Sequence, residues 1–335
     1  MNREPQKDPR LNSLPIFAQR TLVVAFEGWN DAAEAATQAV KILADEMQAE
    51  PVLSIDPEDY CEFHYARPQV YFDEAGDRQI RWPATELLVP SAEVAAARPE
   101  LANLYILLGI EPSLRWRAFA AEVLEIIEDR DIQAVLFVGA MIADVPHTRP
   151  INVLAMSQHE DVRLQLDLEK SDYEGPVGIL TVISQALEEL NVPTASLWAQ
   201  VPAYVHQSPS PKVTLALLTE LERVLKVECD HGSLAEEAFA WERGIDEIAE
   251  SDDEMSGYIQ QLEKTRDELK SAEGSGDILA SEFEKFLQES YRSDSKKESK
   301  PLDSQSPEPE DSGEQHDSSE KYDSPESMES GDQPD

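Results

Sequence analysis

The sequence predicts an α/β protein: a three-layer α/β/α sandwich on a mixed, mainly parallel sheet, followed by a C-terminal helical extension. Apolar runs of strand length alternate with amphipathic segments of helical spacing as far as Asp230. This alternation favours parallel strands joined by helical crossovers. Three of the runs are almost continuously apolar, which is typical of strands that are covered on both faces.

The expected elements follow one another in a regular order. Strand-length apolar runs lie at Leu22–Phe26, Val52–Ile55, Leu104–Leu108, Ala134–Val138, and Gly178–Val182 or its flank. Apolar residues at helical spacing predict helices over Asp31–Met47, Leu114–Asp129 and Pro211–Val227. Val70–Phe72 and Gln79–Trp82 flank turn residues, which predicts an antiparallel hairpin and therefore a mixed sheet.

The chain changes character near Asp230. From Ser233 to Arg292 apolar residues recur at helical spacing without strand signals, and a glycine break precedes a last amphipathic piece, Ile278–Tyr291. We expect two or three helices whose apolar stripe packs on the body or on another subunit. The predicted organisation is a flexible N-terminal arm (1–17), an α/β domain (18–229), the helical extension (230–292) and a disordered acidic tail (293–335).

Charge and cysteine content exclude several classes of protein. The 335 residues carry a formal net charge of −40, and residues 301–335 hold twelve acids, one base and no Ile, Val, Phe or Trp. An acidic surface repels phosphate backbones, so we expect no nucleic-acid partner. The two cysteines form no CxxC pair, and neither a signal peptide nor an apolar run of roughly 18 residues is present. We therefore expect a cytoplasmic protein that does not bind membranes.

The first candidate site follows the first predicted strand. Gly28 lies at a strand-to-helix turn, and Asn30 and Asp31 are good N-cap residues, while free amides at such a helix start could hold an anion. Trp29 beside them could cover the helix. Two interpretations stay open: helix capping, or ligand contact through Gly28, Trp29, Asn30 and Asp31.

A second candidate is Arg115. Ser113 is a possible N-cap for the helix at Leu114–Asp129, and Arg115 then lies in its first turn, where a cation opposes the helix dipole. Arg115 therefore needs a partner. We consider Glu111, an acid of another subunit, or an anionic ligand.

A third candidate is the loop Asp144–Pro150, which follows a predicted strand where open α/β sheets place their ligands. His147 can act as a general acid or base, Thr148 offers a hydroxyl, and Arg149 can bind a carboxylate or phosphate in bidentate fashion. The alternative is that these side chains satisfy backbone groups of a proline-braced loop.

A fourth segment, Ser196–Tyr204, is expected to pack in the core around a crossover. The sequence has no G-x-S-x-G motif, no HExxH motif and no carboxylate cluster suited to a metal. We therefore predict no catalytic residue, no cofactor and no metal ion.

The chain resembles the proteasome assembly chaperone family of the second subtype, in its actinobacterial branch. The similar segments run in one order from Leu22 to Val227. They are Glu27–Asp31, Arg67–Pro68 after Tyr60, Gly109–Pro112 with Arg115–Arg117, Asp144–Pro150, Tyr173–Ile179, and Ser196–Ala199 with Val201–Pro202.

The resemblance implies a phosphorylase/hydrolase-like domain, self-association into a homo-oligomer (a trimer is one candidate) and a role in proteasome assembly. Family members that dock on proteasome rings resemble one another in a C-terminal hydrophobic-Tyr-X tail. This chain ends with Gly331–Asp335, so we do not expect that docking mode.

Two functions are compatible with these features. The favoured one is a non-enzymatic protein-interaction or assembly factor with protein partners, because no nucleophile is recognisable. The alternative is a small-molecule-binding protein or enzyme of nucleoside-phosphorylase-like architecture, with a pocket formed by Gly28–Asp31, Arg115 and His147–Arg149.

Overall fold

The computed structural model describes residues 15–271. Residues 1–14 of the predicted arm (1–17), the amphipathic piece Ile278–Tyr291 and the acidic tail lie outside these residues. The β-strands are β1 (Thr21–Glu27), β2 (Glu50–Ile55), β3 (Gln69–Phe72), β4 (Arg78–Arg81), β5 (Thr85–Val89), β6 (Leu104–Ile110), β7 (Ala134–Ala143), β8 (Val153–Met156) and β9 (Thr194–Pro202). The α-helices are α1 (Ala35–Glu46), α2 (Ala92–Ala97), α3 (Trp116–Asp129), α4 (Glu160–Leu166), α5 (Ile179–Glu189), α6 (Pro211–Leu225), α7 (Leu234–Glu250) and α8 (Asp253–Ser271).

Seven strands form one mixed sheet in the order β2-β5-β6-β1-β7-β9-β8. β6, β1, β7 and β9 are parallel to one another, whereas β5 and β8 run antiparallel to their neighbours. The predicted hairpin is present as β3 and β4, but it forms a separate two-stranded sheet. The sheet is therefore mixed, as predicted, for a different reason: β5 and β8, not the hairpin, supply its antiparallel pairs.

Helices cover both faces of the sheet, which confirms the predicted three-layer α/β/α fold. Alternate residues of β1 point to opposite faces, as the strand period of two requires. Val23 and Ala25 join the core beneath α1 and α6, while Val24 and Phe26 join the core beneath α3 and α5. In the order of the sheet, β6 and β7 flank β1, so the carboxyl ends of these three parallel strands meet at one edge.

The expected strand at Gly178–Val182 is wrong, because this apolar run opens helix α5. Its residues are buried at helical spacing, at Ile179, Ile183 and Leu187, and Gly178 before them is extended. β5, β8 and β9 were not predicted. β9 corresponds to the segment that we expected to be a crossover.

Two helices begin later than predicted, because residues before them adopt left-handed backbone. Ala33 and Glu34 both have φ of 55°, and α1 starts at Ala35. Arg115 has φ of 53°, and α3 starts at Trp116. Ser113 does not cap α3; its hydroxyl oxygen accepts the amide of Glu62 at 3.4 Å.

The predicted C-terminal helices are present as α7 and α8. α7 buries Leu234, Ala238, Ile245 and Ala249, whereas Ile248 is 60% exposed. None of the helices described between residues 15 and 271 is both long enough and apolar enough to cross a membrane.

We expect packing against the neighbouring strand to require glycine at position 139, in the middle of β7. A Cβ on Gly139 would come within 2.5 Å of Cζ3 of Trp198, its neighbour on β9, so alanine must displace a large ring between two strands. We expect Gly139→Ala to lower the free energy of unfolding by about 1–3 kcal/mol in urea titrations. Gly244→Ala in α7, whose Cβ would meet no described atom within 4 Å, should instead stabilise by roughly 0.5–1 kcal/mol. Equal effects of the two substitutions would contradict this packing argument.

Candidate functional site

His147 is the most enclosed residue of the loop Asp144–Pro150, which we call the His147 loop. Its side chain is completely buried, and its backbone N–H donates to the Tyr204 hydroxyl at 2.7 Å. Nδ1 lies 2.7 Å from the same hydroxyl, and Nε2 lies 3.1 Å from Oδ1 of Asp246 in α7. The phenol oxygen accepts from the amide. In the neutral tautomer with the proton on Nε2, the phenol donates to Nδ1 and Nε2–H donates to Asp246, so every polar atom of the pair has a partner.

Burial shifts the protonation equilibria of this pair. It lowers the pKa of His147 below its usual range, because the charged imidazolium is poorly solvated there, and the Asp246 carboxylate opposes this effect only in part. Burial also raises the pKa of Tyr204. Both groups are thus held in the neutral form, with each polar atom paired.

Thr148 and Arg149 bind the last described helix, α8. The Arg149 guanidinium makes a bidentate pair with Asp267, with Nε–Oδ1 at 2.9 Å and Nη2–Oδ2 at 2.8 Å. Its Nη1 donates to Glu263 at 3.1 Å, and the Thr148 hydroxyl donates to the same carboxylate. These carboxylates raise the pKa of Arg149 further, so its charge is permanent.

Two more side chains, Tyr258 and Lys212, make contacts at the same surface. The Tyr258 hydroxyl of α8 donates to Asp144 at 3.0 Å. Lys212 of α6 donates to the carbonyl of His147 and pairs with Glu242 of α7. The His147 loop is therefore the surface on which α7 and α8 are held.

A second polar cluster lies at the carboxyl ends of β1 and β6. The Asn30 side chain donates through Nδ2 to Oε1 of Glu111 at 2.8 Å, and the same oxygen accepts the first amide of α5, from Ile179, at 3.0 Å. A carboxylate at a helix N-terminus is favourable for the helix dipole. Gly178 has no room for a side chain, because a Cβ would come within 2.3 Å of Asn30 Oδ1. That oxygen is buried and has no hydrogen-bond partner among the described residues.

Asp31 supports the capping interpretation of the first candidate site. Its Oδ1 accepts the amides of Ala36 at 2.7 Å and Thr37 at 3.1 Å, and its Oδ2 accepts the Thr37 hydroxyl. Burial raises the pKa of Asp31, although these hydrogen bonds oppose the shift. Gly28 beside it has φ of 117°, a conformation that favours glycine, and Trp29 is 52% exposed.

Arg115 pairs with Asp59 of the same chain and not with Glu111, which was one of the three partners considered. Its guanidinium also lies over the ring of Tyr60, 5.6 Å from the centroid. The side chain is 56% exposed. Glu111 is turned instead toward Asn30 and α5.

The candidate residues thus occupy three separate places. The Asn30 side chain meets α5 in one helical layer. His147 meets α6 in the other layer and α7 of the helical extension, and Arg115 belongs to neither group. Within residues 15–271, no three His, Cys, Asp or Glu side chains converge in a way that suits a metal ion.

Sequence reasoning missed the partners of the His147 loop. They are Tyr204, Lys212 and the acids of the two C-terminal helices. One signal could have found the acids: Glu242 and Asp246, and then Glu263 and Asp267, are spaced four residues apart, so each pair projects from one face of its helix.

Comparison with known proteins identifies the family. Residues 25–249 match the model of the PAC2 family. The chain belongs to the PAC2 family. The matched part of this PAC2 chain includes the His147 loop and all but the last residue of α7; α8 lies beyond it.

Solved structures support the same assignment. A PAC2 family protein from Streptomyces avermitilis is 41% identical, with a TM-score of 0.63, over 71% of this chain and 98% of that one. A Mycobacterium tuberculosis proteasome-assembly chaperone homologue, Rv2125, is 38% identical, with a TM-score of 0.63, over 71% of this chain and 99% of that one. A second M. tuberculosis protein, Rv2714, described as of unknown function, shares the fold at 24% identity and a TM-score of 0.68, over 81% of this chain and 90% of that one. A comparison with curated proteins finds no match.

The burial of His147 generates a pH-dependent stability. Its pKa is lower in the folded than in the unfolded chain, where it is about 6.5. The unfolded state therefore binds more protons below that pH, and the contribution of His147 to stability is complete above about pH 6.5 and falls as the pH decreases. We expect urea unfolding between about pH 8 and pH 5 to show a steeper loss of stability for the native chain than for His147→Asn, which lacks this titrating group. Parallel curves for the two proteins would contradict a neutral, buried His147.

The Arg149 contacts generate a prediction about α8. Arg149→Gln removes the bidentate pair with Asp267, which should lower the local stability of α8 by about 1 kcal/mol and speed its amide hydrogen exchange roughly fivefold. Arg115→Gln is the matched control, because it breaks an arginine–carboxylate pair that does not involve α8. Unchanged exchange in α8 of Arg149→Gln, or equal acceleration in the control, would show that the pair does not hold the helix.

Proposed function

We propose that this PAC2 protein is a non-enzymatic protein-interaction or assembly factor, cytoplasmic and homo-oligomeric, whose partners are related to the proteasome. The observation that carries the proposal is the state of the His147 loop. Its imidazole, hydroxyl and guanidinium are each engaged by acidic or phenolic side chains of the same chain. The groups best suited to chemistry therefore bind helices of the same chain, which supports a role other than catalysis.

The family relationship supports the same proposal. The M. tuberculosis relative is described as a proteasome-assembly chaperone homologue and matches over almost its whole length. We extend this role to the present chain. We also retain the predicted organisation, an arm (1–17), an α/β domain (18–229), a helical extension (230–292) and an acidic tail (293–335), with the extension and tail as partner surfaces.

The alternative function is a small-molecule-binding protein or enzyme, with Gly28–Asp31 in its pocket. One observation speaks for it: the unpaired Oδ1 of Asn30 lies at the carboxyl end of β1, where α/β sheets bind ligands. However, that oxygen faces the backbone of Gly178 at close range, and Glu111 already occupies the N-terminus of α5. Asn30 and Glu111 are thus better explained as a contact between the sheet and α5.

An assembly assay tests the proposed function. Proteasome α- and β-type subunits of the same organism are mixed with and without the purified full chain, and half-proteasomes and complete particles are followed by native electrophoresis. We expect the chain to accelerate the appearance of complete particles and to comigrate with an intermediate. An unrelated acidic protein of similar size controls for charge. An unchanged time course without comigration would overturn the proteasome-related role.

A further inference from the structure

Helix α8 lies outside the part of the chain that matches the family model. That part ends at residue 249, and α8 begins at Asp253. The His147 loop lies inside the matched part, at the carboxyl end of β7, where α/β sheets bind their ligands. A helix from beyond the matched part therefore covers a surface of the family domain.

Carboxylates of α8 make the main polar contacts with this loop. Glu263 accepts from the Thr148 hydroxyl and from Nη1 of Arg149. Asp267 accepts from Nε and Nη2 of the same guanidinium. Glu263 and Asp267 are four residues apart, so both project from one face of the helix. We call the three loop residues that α8 contacts, Asp144, Thr148 and Arg149, the α8-covered surface.

Apolar burial anchors α8 only weakly. The helix has 19 residues, and between residues 253 and 269, where its side chains are described, the buried ones are Ile259 and Leu262. A helix that packs on a core usually buries about three to four apolar side chains in every two turns. Gly257 also lowers the stability of the helix itself. Polar contacts therefore contribute much of what holds α8, and an equivalent helix can replace them.

The charge of the α8-covered surface determines which partner fits it. Arg149 pairs with Glu263 and Asp267, and both carboxylates belong to α8. When α8 leaves, the guanidinium loses these two partners in a chain whose net charge is −40. Such a chain repels acidic molecules over most of its surface, so a cation marks a place where one can bind. The planar guanidinium is suited to carboxylates, which it binds in bidentate fashion.

We propose that the α8-covered surface is an interaction surface for an acidic amphipathic helix of a protein partner, and that α8 occupies this surface when no partner is bound. The partner helix presents two carboxylates four residues apart to Thr148 and Arg149. It carries an apolar residue one turn before the first carboxylate, as Ile259 precedes Glu263 in α8.

This inference rests on the protein-interaction role put forward under the proposed function. It adds to that role the surface that is used and the chemistry of the partner that binds there. It requires no relation of the partner to the proteasome, so the two proposals can be tested separately.

The first test frees the surface in the full chain and measures the binding of a helix supplied from outside. The release variant carries Glu263→Lys and Asp267→Lys, which place like charges beside Arg149 and detach α8. The probe is a fluorescein-labelled peptide with the native sequence of α8, Asp253–Ser271, followed by fluorescence anisotropy. We expect it to bind the release variant at least about tenfold more tightly than the native chain, whose own α8 competes as a tethered ligand.

The control variant carries Glu254→Lys and Glu268→Lys, which change the net charge of the chain by the same amount. Both residues are exposed, and Glu268 pairs with Lys264 of α8 itself. We expect this variant to bind the peptide as weakly as the native chain does. Equal gains in binding for the two variants would show that net charge alone attracts the peptide, which would overturn the proposal.

Amide hydrogen exchange in α8 reports whether the release variant has opened the surface. We expect this exchange to accelerate at least about fivefold in the release variant and to stay unchanged in the control. Unchanged exchange in the release variant would show that the two carboxylates do not hold α8. Faster exchange without tighter peptide binding would show that the opened surface accepts no second helix. Either result would overturn the proposal.

The second test asks whether the pairing of arginine with carboxylates carries the recognition. Arg149→Gln added to the release variant should weaken peptide binding at least about tenfold. Arg115→Gln, at an arginine that pairs away from α8, should leave it unchanged. A peptide with Glu263→Gln and Asp267→Asn should bind the release variant as weakly as the native chain binds the original peptide. Binding that survives the loss of Arg149 or of the two carboxylates would overturn the assignment to an acidic helix.

A competition experiment separates a partner from a second copy of the chain. Unlabelled native chain, whose α8 is engaged, should displace the labelled peptide from the release variant at least about tenfold less well than unlabelled peptide does. Equal displacement would make a second copy the occupant and overturn the assignment to a partner.

The peptide assay and the proteasome assembly assay can fail independently. Tight peptide binding to the release variant, together with an unchanged time course of assembly, would overturn only the proteasome-related role. Accelerated assembly without peptide binding would overturn the α8-covered surface alone.

Discussion

The completely buried imidazole of His147 is the constraint on which the C-terminal half of the structure depends. Burial disfavours the charged imidazolium, and both nitrogens of the buried ring need partners. Tyr204 and Asp246 meet these needs, and Asp246 belongs to α7, outside the sheet and its two helical layers. The side chain of His147, which follows β7, thereby holds α7 against the end of this strand.

The negative charge of the chain explains why cations of the body meet carboxylates of α7 and α8. At a net charge of −40, two acidic helices would repel the body unless cations met them. Arg149 and Lys212 provide that contact: Arg149 pairs with Glu263 and Asp267, and Lys212 pairs with Glu242. In the sequence, a cation that follows a strand predicts an anion-binding site. In the folded chain their anions are the carboxylates of α7 and α8.

The sequence predicted strands best where both faces of a strand are buried, because the apolar run is then continuous. β1, β6 and β7 were predicted because their apolar runs are nearly unbroken, and the capping role of Asp31 was one of two interpretations. β9 was missed because polar residues such as Gln200 interrupt its run, although Gln200 is buried. The run after Gly178 looked like a strand, since isoleucine, threonine and valine favour strands, but its burial pattern is helical.

The partners of the His147 loop were beyond local reasoning for a different reason. Asp246 is 99 residues from His147, and Asp267 is 118 residues from Arg149, so no window of sequence contains both members of either pair. A histidine, a hydroxyl and an arginine after a strand suit a ligand site and a helix-docking site equally well. Only the position of the distant acids separates the two, and that position is a property of the tertiary fold.

Two surfaces of the molecule now stand in contrast. The His147 loop is polar and is covered by the chain's own helices, whereas the hairpin is apolar and is left exposed. Polar groups left exposed are satisfied by water, but an exposed apolar face is unfavourable unless something covers it. At the carboxyl end of β7, the loop that follows the strand contacts α7 through His147 and α8 through Arg149.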